Sequence, residues 1–179
     1  MGMKSNSGLF QGTSGLHKQE ATQTSKSSNI TEYKVTEALK KHIEEADTSS
    51  LNQSGIKGGH NKDNFLKAAN ENGVKITKTE SNSQMEGVEK IYYKVPKKDI
   101  QGKPTSELKA TEYKKTVYDP KILSTDQYVN YGIEAANNAA KNSSTGKLSR
   151  EWTGTDSNGV KWHGYCDESG QITSIYPED

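Results

Sequence analysis

His42 and His60 stand eighteen residues apart in a chain that has only four histidines, and lysines flank both of them. An imidazole titrates near neutral pH, so one of a pair can take a proton while the other gives one. A nearby lysine adds a positive charge where an oxyanion develops. Those three functions are what metal-free cleavage of RNA requires. A base removes the 2′-hydroxyl proton, an acid protonates the leaving 5′-oxygen, and a cation steadies the phosphorane. Each acid or base contributes about 10²–10⁴-fold. Residue types alone do not bring the groups together. Gly58-Gly59 before His60 serves equally as a plain turn or as a place of close backbone approach. His42 borders an apolar helix stripe, where histidine is commonly a packing residue.

Other chemistries find less support. HIEEA after His42 has no second histidine at the zinc-protease spacing, and GIKGGHN lacks the Gly-Lys-Ser/Thr ending of a phosphate loop. Cys166 is the only cysteine, which excludes an intrachain disulfide and a cysteine zinc cluster. His163 and Cys166 fall on opposite faces of a strand and cannot pair; Cys166 reads as core. His163, sharing a face with Lys161 and Tyr165, is a rival general base.

The chain has 179 residues, room for one domain and a tail, and only 29% are hydrophobic. Its net charge of +1 hides an asymmetry. Residues 54–121 hold 14 lysines against 9 acidic residues, whereas residues 122–179 hold 4 basic against 8 acidic. The basic block could face phosphate or be solvated lysine. Arg150 is the sole arginine, which disfavours bidentate reading of guanine. No stretch approaches the about 18 apolar residues of a membrane span.

Residues 1–30, rich in Ser, Thr, Gly and Gln, read as a linker or arm, with His17 inert inside it. Residues 31–179 form the domain. Val35, Leu39, His42, Ile43 and Ala46 predict a helix over 32–46, with Thr31 available as its cap. Residues 48–59 read as loop, and a short helix follows from Asn64 to Gly73. Strands are expected at 74–79, 88–95 and 112–118, with a polar loop over 96–106. A helix over 124–142 places Tyr128, Tyr131, Ala135 and Ala139 on one face, capped by Ser124. Three closing strands are separated by DSNG and DESG turns, with Val160, Trp162, Gly164 and Cys166 turned inward on the second. Helices first and then a mainly antiparallel sheet make the class α+β.

LKKHIEEA (39–46) followed by GIKGGHNKDNF (55–65) resembles the active-site segment of the EndoU ribonucleases. That family has a helix-borne histidine and a second one in a glycine-preceded loop. The closing ITSIYPED is similar to its Thr/Ser-x-Tyr-Pro end motif, filled here by Ser174 and Tyr176. KKTVYDPK (114–121) looks like the strand carrying its catalytic lysine, and Lys115 takes that place beside Lys114 and Lys121. Strand alternation admits only one of Lys114 and Lys115 to a cleft. Asp119-Pro120 stand where a base-reading serine is expected, so strict uridine preference does not carry over.

The resemblance covers about 32–179 and points to bacterial EndoU-type domains at the tips of contact-dependent inhibition toxins. It implies a barnase/EndoU/colicin/RelE-type fold and a monomer apart from an immunity complex. His60 would be the general base, His42 the general acid and Lys115 the phosphorane cation, with no cofactor. Ser174 and Tyr176 would hold the nucleotide, RNA and specifically transfer RNA would be the substrate, and a 2′,3′-cyclic phosphate the product. It further implies secretion as the C-terminal part of a larger toxin, action in a target-cell cytoplasm and a cognate immunity protein. Two other readings compete. A non-catalytic module would bind RNA or an acidic protein through its lysines, and a metal-dependent nuclease would use His60, Asn61 and Asp63.

Overall fold

A computed structural model describes residues 29–179. The expected arm and His17 lie outside them, apart from Asn29 and Ile30. Those two lead into the first anchoring bond, from Thr31 N to the Gly146 carbonyl.

The first helix is shorter than its apolar period predicts. α1 spans Glu37–Glu44, and Thr36, not Thr31, caps it by accepting from Leu39 N. Residues 31–36 lie outside the helix, and another element claims the backbone of Tyr33 among them. The Asn137 side chain accepts from Tyr33 N and donates to Tyr33 O, as a neighbouring strand would. α1 buries Leu39 and Ile43 against the last strand and the long helix.

The expected loop over 48–59 contains regular structure. β1 (Ala46–Asp47) pairs antiparallel with β2 (Lys57–Gly58) around a four-residue α2 (Leu51–Ser54). α3 spans Lys62–Glu71, starting at the Asn61 cap. Then come β3 (Lys75–Ser81), β4 (Val88–Lys94) and β7 (Tyr113–Tyr118), an antiparallel sheet in the order β3-β4-β7. Between β4 and β7 the polar segment is not loop alone. β5 (Pro96–Lys98) and β6 (Pro104–Leu108) form a hairpin, closed by a Lys97–Glu107 ion pair and by Thr105 Oγ1 donating to Lys97 O.

α4 (Thr125–Asn142) opens with a full capping box between Ser124 and Gln127. Its buried face centres on Tyr128, Gly132, Ala135 and Ala136; Tyr131 and Ala139 sit on the flank. It covers the C-terminal meander of β8 (Glu151–Thr155), β9 (Lys161–Cys166) and β10 (Ile172–Pro177). β9 turns Trp162, Gly164 and Cys166 inward, as alternation predicts. The buried Asp156 carboxylate pins the β8–β9 turn by accepting from Val160 N, Asn158 N and Trp162 Nε1.

The molecule is thus α+β with two apolar cores. One joins α1, α4 and the C-terminal sheet around Trp162, Tyr128 and Ile175. The other joins α2, α3 and the central sheet around Phe65, Tyr93 and Val117. Among the described residues, no helix is long and apolar enough to cross a membrane.

Candidate active site

The seam between the two cores opens as a cleft of about 360 Å³. It is bordered by His42, His60, Lys115, Ser174 and Tyr176, together with Lys57, Lys114 and Thr116. All five residues singled out from the sequence therefore meet at one place, from four separate elements.

The loop before α3 explains the GGHN stretch. The carbonyls in the last turn of a helix lack intrahelical partners. Here Gly59 N donates to His42 O, while His60 N and Asn61 N both donate to Ile43 O. To do so the loop must press against the end of α1. A Cβ on Gly58 would lie 2.4 Å from His42 O, and one on Gly59 would lie 2.8 Å from Ala46 Cβ. Both glycines also have positive φ, at 59° and 64°. The pair is a close approach, not a solvent turn. Asn61 then starts α3, its side chain accepting from Asn64 N, so its oxygen is engaged structurally.

His60 is 4% exposed and docks on the free edge of β7. Its carbonyl accepts from Tyr118 N, and its Nδ1 lies 2.7 Å from Thr116 O. A carbonyl oxygen only accepts, so Nδ1 carries the proton and Nε2 keeps its lone pair. Burial, then the Lys115 charge, holds His60 well below the usual histidine value. The His42 ring is centred 6.0 Å away. It too is lowered, by burial and then by Lys115, with Asp47 acting in the opposite sense. Burial also lowers Lys115, to about 8.

Lys121 is exposed and does not border the cleft. The expectation that alternation admits only one of Lys114 and Lys115 fails. The cleft wraps over the free edge of β7, so residues from both faces of that strand border it. Lys114 is exposed and Lys115 half-buried. Opposite them, a bulge between Ile172 and Ser174 resets the alternation of β10. Ile172, Ile175 and Pro177 all pack inward, while Ser174 and Tyr176 face the cleft half-buried.

His163, the rival base, does not border the cleft. It stacks behind Tyr176, with ring centroids 5.2 Å apart and planes 18° from parallel. Its Nδ1 lies 2.9 Å from Glu178 Oε1, and its Nε2 lies 2.8 Å from Glu151 Oε1. Only Nδ1 makes a hydrogen bond, to Glu178; Nε2 is buried without one, although the Glu151 carboxylate is close. Cys166 is buried in the core. Among the described residues, no group of three His, Cys, Asp or Glu side chains is arranged to hold a metal ion.

Sequence reasoning missed Thr116, whose contribution is a backbone carbonyl, and Lys57, which borders the cleft from β2. No side-chain pattern signals the first.

The family model described as Bacterial EndoU nuclease matches residues 36–179. A protein named tRNA nuclease CdiA from Escherichia coli (strain STEC_O31) is 33% identical over 145 residues. One of the same name from Yersinia mollaretii (strain ATCC 43969 / DSM 18520 / CIP 103324 / CNY 7263 / WAIP 204) is 30% identical over 138 residues. Each match covers 76% of this chain but only 4% of the relative's length.

Proposed function

The chain belongs to the bacterial EndoU nuclease family, and from that premise we propose that it is a metal-independent endoribonuclease that cuts RNA to a 2′,3′-cyclic phosphate. The observation that carries this reading is the pairing of His60 with His42 in one cleft, 6.0 Å apart, with the His60 lone pair left on Nε2. His60 Nε2 takes the proton of the 2′-hydroxyl, and the 2′-oxygen forms a bond to phosphorus. The bond from phosphorus to the 5′-oxygen breaks as His42 donates a proton to that oxygen. The products are a 2′,3′-cyclic phosphate and a free 5′-hydroxyl. Lys115 lies on the same side of the cleft and stabilises the added negative charge.

Burial and Lys115 hold His42 below its usual value. A phosphodiester bound beside it favours its charged form and arms it as the acid. Tyr176 offers a ring for base or ribose, and Ser174 a hydroxyl, from the facing wall. Stacking of a base on such a ring contributes about 1–3 kcal/mol and tolerates many sequences.

Transfer RNA is the proposed substrate, supported by the names of the two CdiA relatives. The small share of those relatives that this chain spans supports a toxin tip carried by a larger secreted protein and acting in a target-cell cytoplasm. A cognate immunity protein would cover the cleft, setting acidic groups against its lysines.

The test is incubation of the protein, His60→Ala and His42→Ala with tRNA in EDTA, followed by analysis of fragment ends. Cyclic phosphate ends from the parent protein alone are expected. Cleavage surviving both substitutions would refute the site, and cleavage only after Mg²⁺ addition would refute metal independence. Tight binding without turnover would return the chain to a binding module.

A further inference from the structure

The register of the central sheet sorts its residues onto two faces. Ile91, Tyr93 and Val117 point toward α3 and its Phe65, and Glu89 reaches Lys62 at the start of that helix. The partners across β3, β4 and β7 then place Lys75, Lys78, Lys90, Tyr92, Lys94 and Lys114 on the opposite face. Near Val88 and Tyr118 that face packs into the other core, and Thr116 beside them is still buried; beyond Thr116 the residues of the face are exposed or half-buried. Lys75, Lys78 and Lys114 are exposed, and Lys90, Tyr92 and Lys94 are half-buried.

Glu80 is the one carboxylate that the register adds to this face, and it pairs with Lys78. Among the described residues, Lys75, Lys90, Lys94 and Lys114 have no ion-pair partner. These four lysines carry much of the net positive charge of the central block on one face, with the Asp179 carboxylate acting on Lys90 from beyond ion-pair distance. The row Lys114–Tyr92–Lys78 crosses two strand spacings, about 10 Å. It begins at a residue that borders the cleft.

We propose that this face is a track for the substrate RNA strand outside the cleft, with lysines on phosphates and Tyr92 as a stacking platform for one base. The inference rests on the reading of the cleft as a site for RNA. Continuity with the cleft and an excess of lysines over carboxylates favour a polyanionic strand, and an aromatic ring among lysines is the pairing that single-stranded nucleic acid needs. The Lys78 ammonium lies 5.3 Å from the centre of the Tyr92 ring, so both sit within reach of one nucleotide.

The experiment uses the variant Lys75→Gln/Lys78→Gln/Lys94→Gln, which leaves Lys114 untouched. RNA affinity is measured in a His60→Ala background across a salt series, so binding is read without cleavage. Affinity should fall about 10- to 100-fold, and the slope of log affinity against log salt should drop by about 2 as three phosphate contacts are lost. Cleavage of a dinucleoside monophosphate by the same triple variant with His60 intact should be unchanged, because its one phosphate occupies the cleft. Unchanged affinity and slope would overturn the track and leave the face to an acidic protein. A parallel loss on the dinucleoside substrate would overturn it too, since the lysines would then act through the cleft. Failure of the nuclease reading shows separately, as absence of cleavage by the parent protein.

Discussion

Both three-stranded sheets are antiparallel and both border the cleft, yet they are built in opposite ways. The C-terminal sheet is pressed against α4 so closely that side chains are excluded. A Cβ on Gly154 would lie 2.1 Å from Ala135 O, and one on Gly132 of α4 would lie 2.3 Å from Ile175 Cδ1. The central sheet is covered on one side by the ten-residue α3, and its other side carries lysines. The tight sheet supplies Ser174 and Tyr176, groups that need only a fixed place. The open one offers a polar edge to His60 and a lysine whose charge spreads over both histidines. On the proposed mechanism the nucleotide-holding groups belong to the tight sheet and His60 and Lys115 to the edge of the open one, while His42 reaches the cleft from α1, which packs against the tight sheet.

Removing that charge should have the largest effect. Lys115→Ala should lower kcat about 10²–10³-fold, the cost of losing one stabiliser of a developing oxyanion. The melting temperature at pH 7 should hold or rise. A lysine lowered to about 8 in the folded state is bound to its proton more tightly by the unfolded chain, so below pH 8 its charge opposes folding. The pH profile sharpens the same point. On the proposed mechanism His60 acts neutral and lies well below 6.5, while His42 acts protonated and is lowered less strongly. Hence kcat/KM of the parent protein should peak below pH 6.5. In Lys115→Ala, where both histidines lose a depressing charge, the peak should move upward. An unmoved peak would break the link from Lys115 to the two histidines.

Next in size, Gly154→Ala should destabilise the fold by about 1–3 kcal/mol through overpacking against α4, read by urea unfolding. Molecules that stay folded should cut at an ordinary rate; a loss of kcat would mean the tight wall also shapes the chemistry. Smallest is Asn61→Ala, which removes the cap of α3 and should cost about 1 kcal/mol in the same assay. A cost near zero would show that the backbone bonds to Ile43 seat this loop without the cap.

Much of this was legible where the local pattern and the tertiary environment agree. Alternation put Trp162 and Cys166 inside, the DSNG and DESG turns separated the last strands, and Ser124 capped α4. It was lost where a distant group intervened. Asn137 claims the backbone of Tyr33, 104 residues away in sequence, and α1 waits until the Thr36 cap. The β5–β6 hairpin has no apolar alternation; cross-strand polar contacts hold it. At the site, residue types named the two histidines, and only the family resemblance of the closing motif named Ser174 and Tyr176. The tautomer of His60 depends on a carbonyl that every residue possesses, and both lysines border the cleft because β7 meets it edge-on.

The docking of His60 and Asn61 along β7 has one further consequence. An exposed strand edge is a template on which a second chain can add, and the usual guards are charge, proline or a covering loop. Here the guard is the loop that carries His60, the proposed base, bonded to Thr116 O and Tyr118 N. Any substitution that lifts the loop, at Gly58 or Gly59 above all, uncovers sticky edge as it disarms the enzyme. Solubility and catalysis are therefore lost together at this segment, and inactive variants here belong with aggregating ones.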